Sequence, residues 1–152
     1  EMLIKGYNLK EETVIEVGKF TILWNWFEWS WCNNNCNPKT IKQIAIKIHI
    51  DKEKQAYLAE VLNKRRTLFN QFEKDYVRHS LHPDNARASR EEDMDVMKQF
   101  ITQSGNELTR GCLLVLYRIR NNLMHGMKLL ERLDGQIELF RAATAVLESI
   151  TR

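Results

Sequence analysis

An all-α fold, a helical bundle forming a single domain over residues 1–152, is what the sequence predicts, and three observations predict it. The chain has only six Gly and two Pro, too few for the dense turns of a β-sandwich or barrel. Apolar residues recur at intervals of three and four through most of its length. At 43% hydrophobic and 28% charged, its composition is that of a folded globular domain rather than of a disordered or membrane chain. A length of 152 residues leaves room for one core.

Taken in order, Asn8 followed by Glu11 has the spacing of a capping box, so a first helix is expected from about Leu9 to Trp31. Phe20, Leu23, Trp24, Phe27 and Trp31 share one of its faces, while Ile22, Trp26 and Trp29 lie on others. Four Trp within eight residues exceed what a small monomer buries, so part of this surface is expected to meet another subunit. The four Asn between Cys32 and Pro38 mark a loop, and Pro38 is placed to open the next helix. Ile41, Ile44, Ala45 and Ile48 predict a helix from Thr40 to Ile50, although Ile46 and Ile50 also fit a short alternating strand. Asp51 is an N-cap for a long helix from Lys52 to about Arg78, with Tyr57, Val61, Leu68, Phe72 and Tyr76 on its buried side.

His79 to Ser89, with Pro83, Asp84 and Asn85, reads as an exposed connection. A shorter helix from about Arg90 to Gln103, acidic in its first turn, is ended by Ser104, Gly105 and Asn106. From about Glu107 a further helix carries Leu108, Cys112, Val115, Leu116 and Ile119 on its apolar stripe and runs into Arg120-Asn121-Asn122-Leu123-Met124-His125-Gly126. A last helix from about Met127 to Ser149 buries Leu130, Leu133, Ile137, Phe140, Ala143 and Leu147.

Charge and cysteine content narrow the function classes. Lys and Arg total 23 against 20 Asp and Glu, a net charge of +3, so any RNA contact must rest on local rather than bulk charge. Three cysteines are an odd number and too few for a disulfide framework, which points to the reducing cytoplasm. No apolar run reaches the ~20 residues of a membrane span, and nothing has the form of a signal peptide.

The chemistry concentrates at Arg120 and His125. Five positions apart, they would diverge by about 140° on an unbroken helix. Asn121, Asn122 and Gly126 favour a helix end here, and a break would fold His125 back toward Arg120. A guanidinium beside an imidazole suits a phosphodiester: the first clamps phosphate oxygens and the second exchanges protons with the attacking and leaving oxygens. The same residues also fit a plain helix cap with a salt-bridged arginine.

The string Leu116-Tyr117-Arg118-Ile119-Arg120-Asn121-Asn122-Leu123-Met124-His125-Gly126 resembles the signature of the HEPN superfamily, Apea-like members above all, with Met124 in place of Phe as its one notable change. Phe20-Thr21-Ile22-Leu23-Trp24-Asn25-Trp26-Phe27-Glu28 is similar to the family's first helix, F-x-x-x-W-x-x-F followed by a polar residue, here Glu28 where Asn is common. Residues 39–105 carry no part of the resemblance.

The resemblance implies an up-and-down bundle of four to five main helices with a short extra helix, paired as a homodimer whose cleft is lined by Arg and His of both subunits. It implies a metal-independent endoribonuclease that needs no cofactor and uses the RNA 2′-hydroxyl as nucleophile. The setting would be a toxin–antitoxin or defence system with an antitoxin or other defence protein as partner. Carried over, His125 is the general base or acid, Arg120 the phosphate clamp, and Asn121 an orienting residue. Glu28 would hydrogen-bond to Arg120 or His125. A rival from another class keeps the fold without cutting and serves nucleotide binding or protein assembly.

Between Arg110 and Arg132 the chain carries Arg110, Arg118, Arg120, Lys128 and Arg132 against Glu131 alone, which makes Arg118, Lys128 and Arg110 candidates for RNA binding. Basic residues near helix C-termini serve the dipole equally well. Cys32, Cys36 and His49 lack the second ligand pair zinc requires, so no metal is expected, and Cys112 belongs to the core. Loop residues His79 and His82 and the Trp group, as a stacking platform, are weaker candidates.

Overall fold

The computed structural model describes residues 1–68, 89–124 and 130–151. Among them are a small hairpin, β1 (Met2–Ile4) and β2 (Tyr7–Leu9), and six α-helices: α1 (Glu11–Cys32), α2 (Pro38–Ile44), α3 (Lys52–Leu68), α4 (Ser89–Thr102), α5 (Leu108–Met124) and α6 (Ile137–Ser149). A 3-10 segment, Leu130–Gln136, leads into α6. The all-α class predicted from the sequence therefore holds for the described residues, with five longer helices and the roughly two-turn α2. No helix among them is long and apolar enough to cross a membrane.

The hairpin was not anticipated. Lys5 (φ 49°) and Gly6 (φ 84°) form its two-residue turn, both in the left-handed region that the tight hairpin turn requires, and pair Met2 with Leu9 and Ile4 with Tyr7. It also displaces the expected capping box. The N-cap of α1 is Lys10, whose side chain caps nothing; instead Asp134 of the 3-10 segment accepts from the Lys10 amide at 3.1 Å and from the Thr13 hydroxyl at 2.5 Å. A carboxylate brought 124 positions along the chain thus does what Asn8 was expected to do. The bond from Thr13, reinforced by that from Lys10, holds the Asp134 carboxyl below the ordinary carboxylate range.

Local signals elsewhere are realised. Asn37 Oδ1 accepts from the Thr40 amide at 2.9 Å with Pro38 in the first turn of α2, and Asp51 Oδ1 accepts from the Lys54 amide at 3.1 Å at the start of α3. α2 stops at Ile44 rather than Ile50, because beyond it burial alternates: Ile48 and Ile50 are buried while Ile46, at 86% exposure, and His49 face solvent. On α3 the buried face is Leu58, Val61 and Leu62, and Tyr57, expected inside, is exposed. The predicted remainder of that helix, with Phe72 and Tyr76, lies outside the described residues, as does the connection from His79 up to Ser89, where α4 opens.

α1 packs on α6 through Phe20, 5.5 Å edge-on from Phe140; α6 also packs on α3, α3 on α4, and α4 on α5, while α2 touches α1 and α5. α4 and α5 meet closely at Gly111. A Cβ on Gly111 would overlap the Val96 carbonyl oxygen, so only glycine permits this approach. α5 is buried over most of its girth: the unbroken run Cys112 to Leu116 lies wholly inside, and burial pushes the Cys112 thiol well above its ordinary range. The single stripe expected of this helix thus widens to every side between Arg110 and Leu116.

Candidate functional site

Arg120 lies just before the last turn of α5, half-buried, and α5 continues through Asn121 and Asn122 to Met124 without interruption. The helix end expected between Arg120 and His125 thus falls at Met124, after the Asn pair rather than at it. Both have helical backbones; Asn122 is buried, and Asn121 Oδ1 accepts a 3.1 Å bond from Arg120 Nη1. His125, Gly126 and Lys128 lie outside the described residues.

Arg120 opens onto a small recess of about 80 Å³ between α1 and α5, whose walls are Thr21, Trp24 and Asn25 on one side and Arg120, Leu123 and Met124 on the other. Trp24 sets its depth. The indole is 1% exposed, lies 5.2 Å from the Phe27 ring and 6.4 Å from that of Tyr117, and so spaces α1 from α5. Its Nε1–H has no acceptor among the described residues. Thr21 donates its hydroxyl to the Val17 carbonyl at 2.9 Å, while Asn25 is exposed. No carboxylate pairs with Arg120 among the described residues, so its charge is open to an anion's oxygens.

The remaining site candidates fall elsewhere. Glu28, expected against Arg120 or His125, turns the other way: its Oε2 accepts from the Cys36 amide at 3.1 Å and ties down the loop after α1. The polar residues α1 brings to the recess are Thr21 and Asn25, the latter one turn before Glu28 and marked in the sequence only by its adjacency to Trp24. Arg110, expected on an RNA-facing surface, is buried with a side chain 7% exposed and bonds to Glu92 and Glu107 at 2.8 Å and Asp93 at 3.2 Å. Burial pulls its pKa down, but the bonds to Glu107 and Glu92 outweigh that and raise it, and Arg110 in turn lowers that of Glu92. Arg118 is also buried, its guanidinium 4.6 Å from the Tyr117 ring centre. Both follow from the all-round burial of α5, which counting charges along a sequence does not reveal.

The cysteines too depart from expectation. Cys32 and Cys36 are joined by a disulfide, with Asn33 (φ 52°) and Asn34 (φ 62°) turning the chain so that their Cα atoms lie 5.1 Å apart. Of the four Trp, Trp24 is core, Trp26 and Trp31 are half-buried, and Trp29 is 67% exposed, on the same side of α1 as the exposed Ile15 and Ile22 at seven-residue intervals. Compared with protein-family models, with curated proteins and with solved structures, the chain matches none.

Proposed function

We propose that this chain is a metal-independent endoribonuclease of the HEPN type, working as a homodimer within a toxin–antitoxin or defence system. The observation that carries the reading is Arg120: a guanidinium without a carboxylate partner among the described residues, in a recess walled by the buried Trp24 and five positions before His125 in the sequence. In the reaction His125 removes the proton of the RNA 2′-hydroxyl, whose oxygen attacks the adjacent phosphorus. The 5′-oxygen leaves and takes a proton, and a 2′,3′-cyclic phosphate remains. Arg120, oriented by Asn121, clamps the non-bridging oxygens as their charge grows. Ile15, Ile22 and Trp29 support pairing through α1, since three exposed large apolar side chains on one helix face favour cover.

The test is cleavage of single-stranded RNA by the full chain in EDTA with analysis of the ends. Cyclic phosphate ends are expected, with activity lost in Arg120→Ala and in His125→Ala; cutting that persists in the double variant refutes the assignment. A second reading, a module that binds or assembles without cutting, is favoured by the burial of Arg110 and Arg118, which removes two cations from the surface on which RNA would lie. Retention of RNA without turnover separates it from the first.

A further inference from the structure

Trp24 and Arg120 wall the same recess from opposite helices. The ring that Trp24 meets on α5 is Tyr117, 6.4 Å away between centres, and Tyr117 stands three residues before Arg120, a turn earlier on the same side of α5. The indole therefore presses on the helix surface that carries Arg120. Phe27, a turn further along α1 and wholly buried, packs the indole from its own helix at 5.2 Å.

The residue type is informative. A core position that needs only apolar area is served by Phe or Leu, which bring no polar atom. The Nε1–H of Trp24, buried and without an acceptor among the described residues, is a cost that neither of them carries. What Trp adds is size, placed where α1 and α5 border the recess. Phe20 is the contrast: four residues earlier on α1 and fully buried, it faces Phe140 of α6 at 5.5 Å and lines no part of the recess.

We propose that Trp24 is a positioning residue for Arg120: as the spacer between α1 and α5 it fixes how far the guanidinium reaches toward a phosphate in the recess. It touches no reacting atom. The proposal rests on the nuclease reading and adds to it the residue that sets the geometry of the clamp. Arg120 acts on charge that grows as the phosphorus is attacked, so its displacement by about 1 Å is felt in kcat, by up to about 10²-fold, and little in substrate binding.

Steady-state cleavage of single-stranded RNA by the full chain tests this with Trp24→Phe, Trp24→Leu and, as a control for lost core packing, Phe20→Leu, each also unfolded in urea. Trp24→Phe is expected to lower kcat about tenfold and Trp24→Leu about a hundredfold, with KM held within about twofold. Phe20→Leu also removes a buried ring and lowers stability, yet leaves kcat within about twofold of the parent. A second readout needs no cleavage. The Arg120 Nε–H resonance of the isotope-labelled chain, assigned by its loss in Arg120→Ala, shifts in Trp24→Phe and stays in place in Phe20→Leu. Unchanged kcat in Trp24→Leu, or an equal fall in Phe20→Leu, overturns the proposal. Should the unaltered chain leave RNA uncut, the nuclease reading fails and the resonance decides: an unmoved Arg120 signal in Trp24→Phe overturns the positioning role, and a moved one upholds it.

Discussion

Arg110 and Arg120 stand on the same helix and meet opposite fates. Arg110 lies where α4 presses closest on α5, and three carboxylates, of Glu92, Asp93 and Glu107, close around it. Arg120 lies where Trp24 wedges α1 away from α5, and its bonded partner is a neutral amide. The difference teaches that position along α5, more than residue type, decides whether a cation is structural or available. The crowded end binds its arginine into the fold, and the spaced end leaves one without a carboxylate partner among the described residues.

The sharpest way to break that comparison is to remove each arginine. Arg110→Ala strips a buried carboxylate, Asp93, of its cation and is expected to cost about 3–5 kcal/mol of unfolding free energy. Arg120→Ala is expected to stay within about 0.5 kcal/mol of the parent. Its effect falls on RNA cleavage instead, by about 10²–10³-fold. Urea denaturation of both variants decides the first point; a large loss of stability in Arg120→Ala would erase the distinction.

Gly111→Ala probes the crowded end directly. Its methyl meets the Val96 carbonyl and forces α4 from α5, at about 1–3 kcal/mol. The same substitution at Gly18, where a Cβ meets open space, is expected to be neutral or stabilising. Thermal melts of the pair measure how far close packing is confined to the α4–α5 contact.

Acid sharpens the comparison further. The hydrogen bond from Arg110, then that from Lys42, lowers the Glu92 pKa below 4.5 in the folded chain. This contribution to stability is complete above that ordinary value and is lost as pH falls through the lowered one. Glu92→Gln is therefore expected to flatten the acid limb of the stability–pH curve, whereas Arg120→Ala leaves it unchanged. The smallest expected effect lies at the hairpin. Lys5→Asn suits the left-handed backbone of the turn and is expected to add about 0.5–1 kcal/mol in a chemical melt.

Much of the frame was legible in the residues. Phe20, Trp24 and Phe27 reach the core as their helical spacing predicts, Asn37 and Asp51 cap as their side chains allow, and Pro38 opens α2. The recess at Arg120 was half legible. Its α5 wall followed from the motif, but Glu28 was expected in a place that Asn25 takes, because a helix of 22 residues offers several polar positions and only the packing of Trp24 on Tyr117 selects the face toward α5. The five consecutive apolar residues Cys112 to Leu116 did carry a signal for burial on every side of that stretch, though not for which carboxylates would meet Arg110.

The sequence by itself determined the helical class, most helix starts and the apolar faces, since periodicity and capping act over a few residues and are written in order along the chain. Tertiary structure alone decided that Asp134 caps α1, that Glu28 serves Cys36 rather than Arg120, and that Arg110 is locked in while Arg120 is not. Such choices turn on which groups meet across the bundle. A side chain's partners, and through them its charge and reach, depend on distances that residue order does not contain.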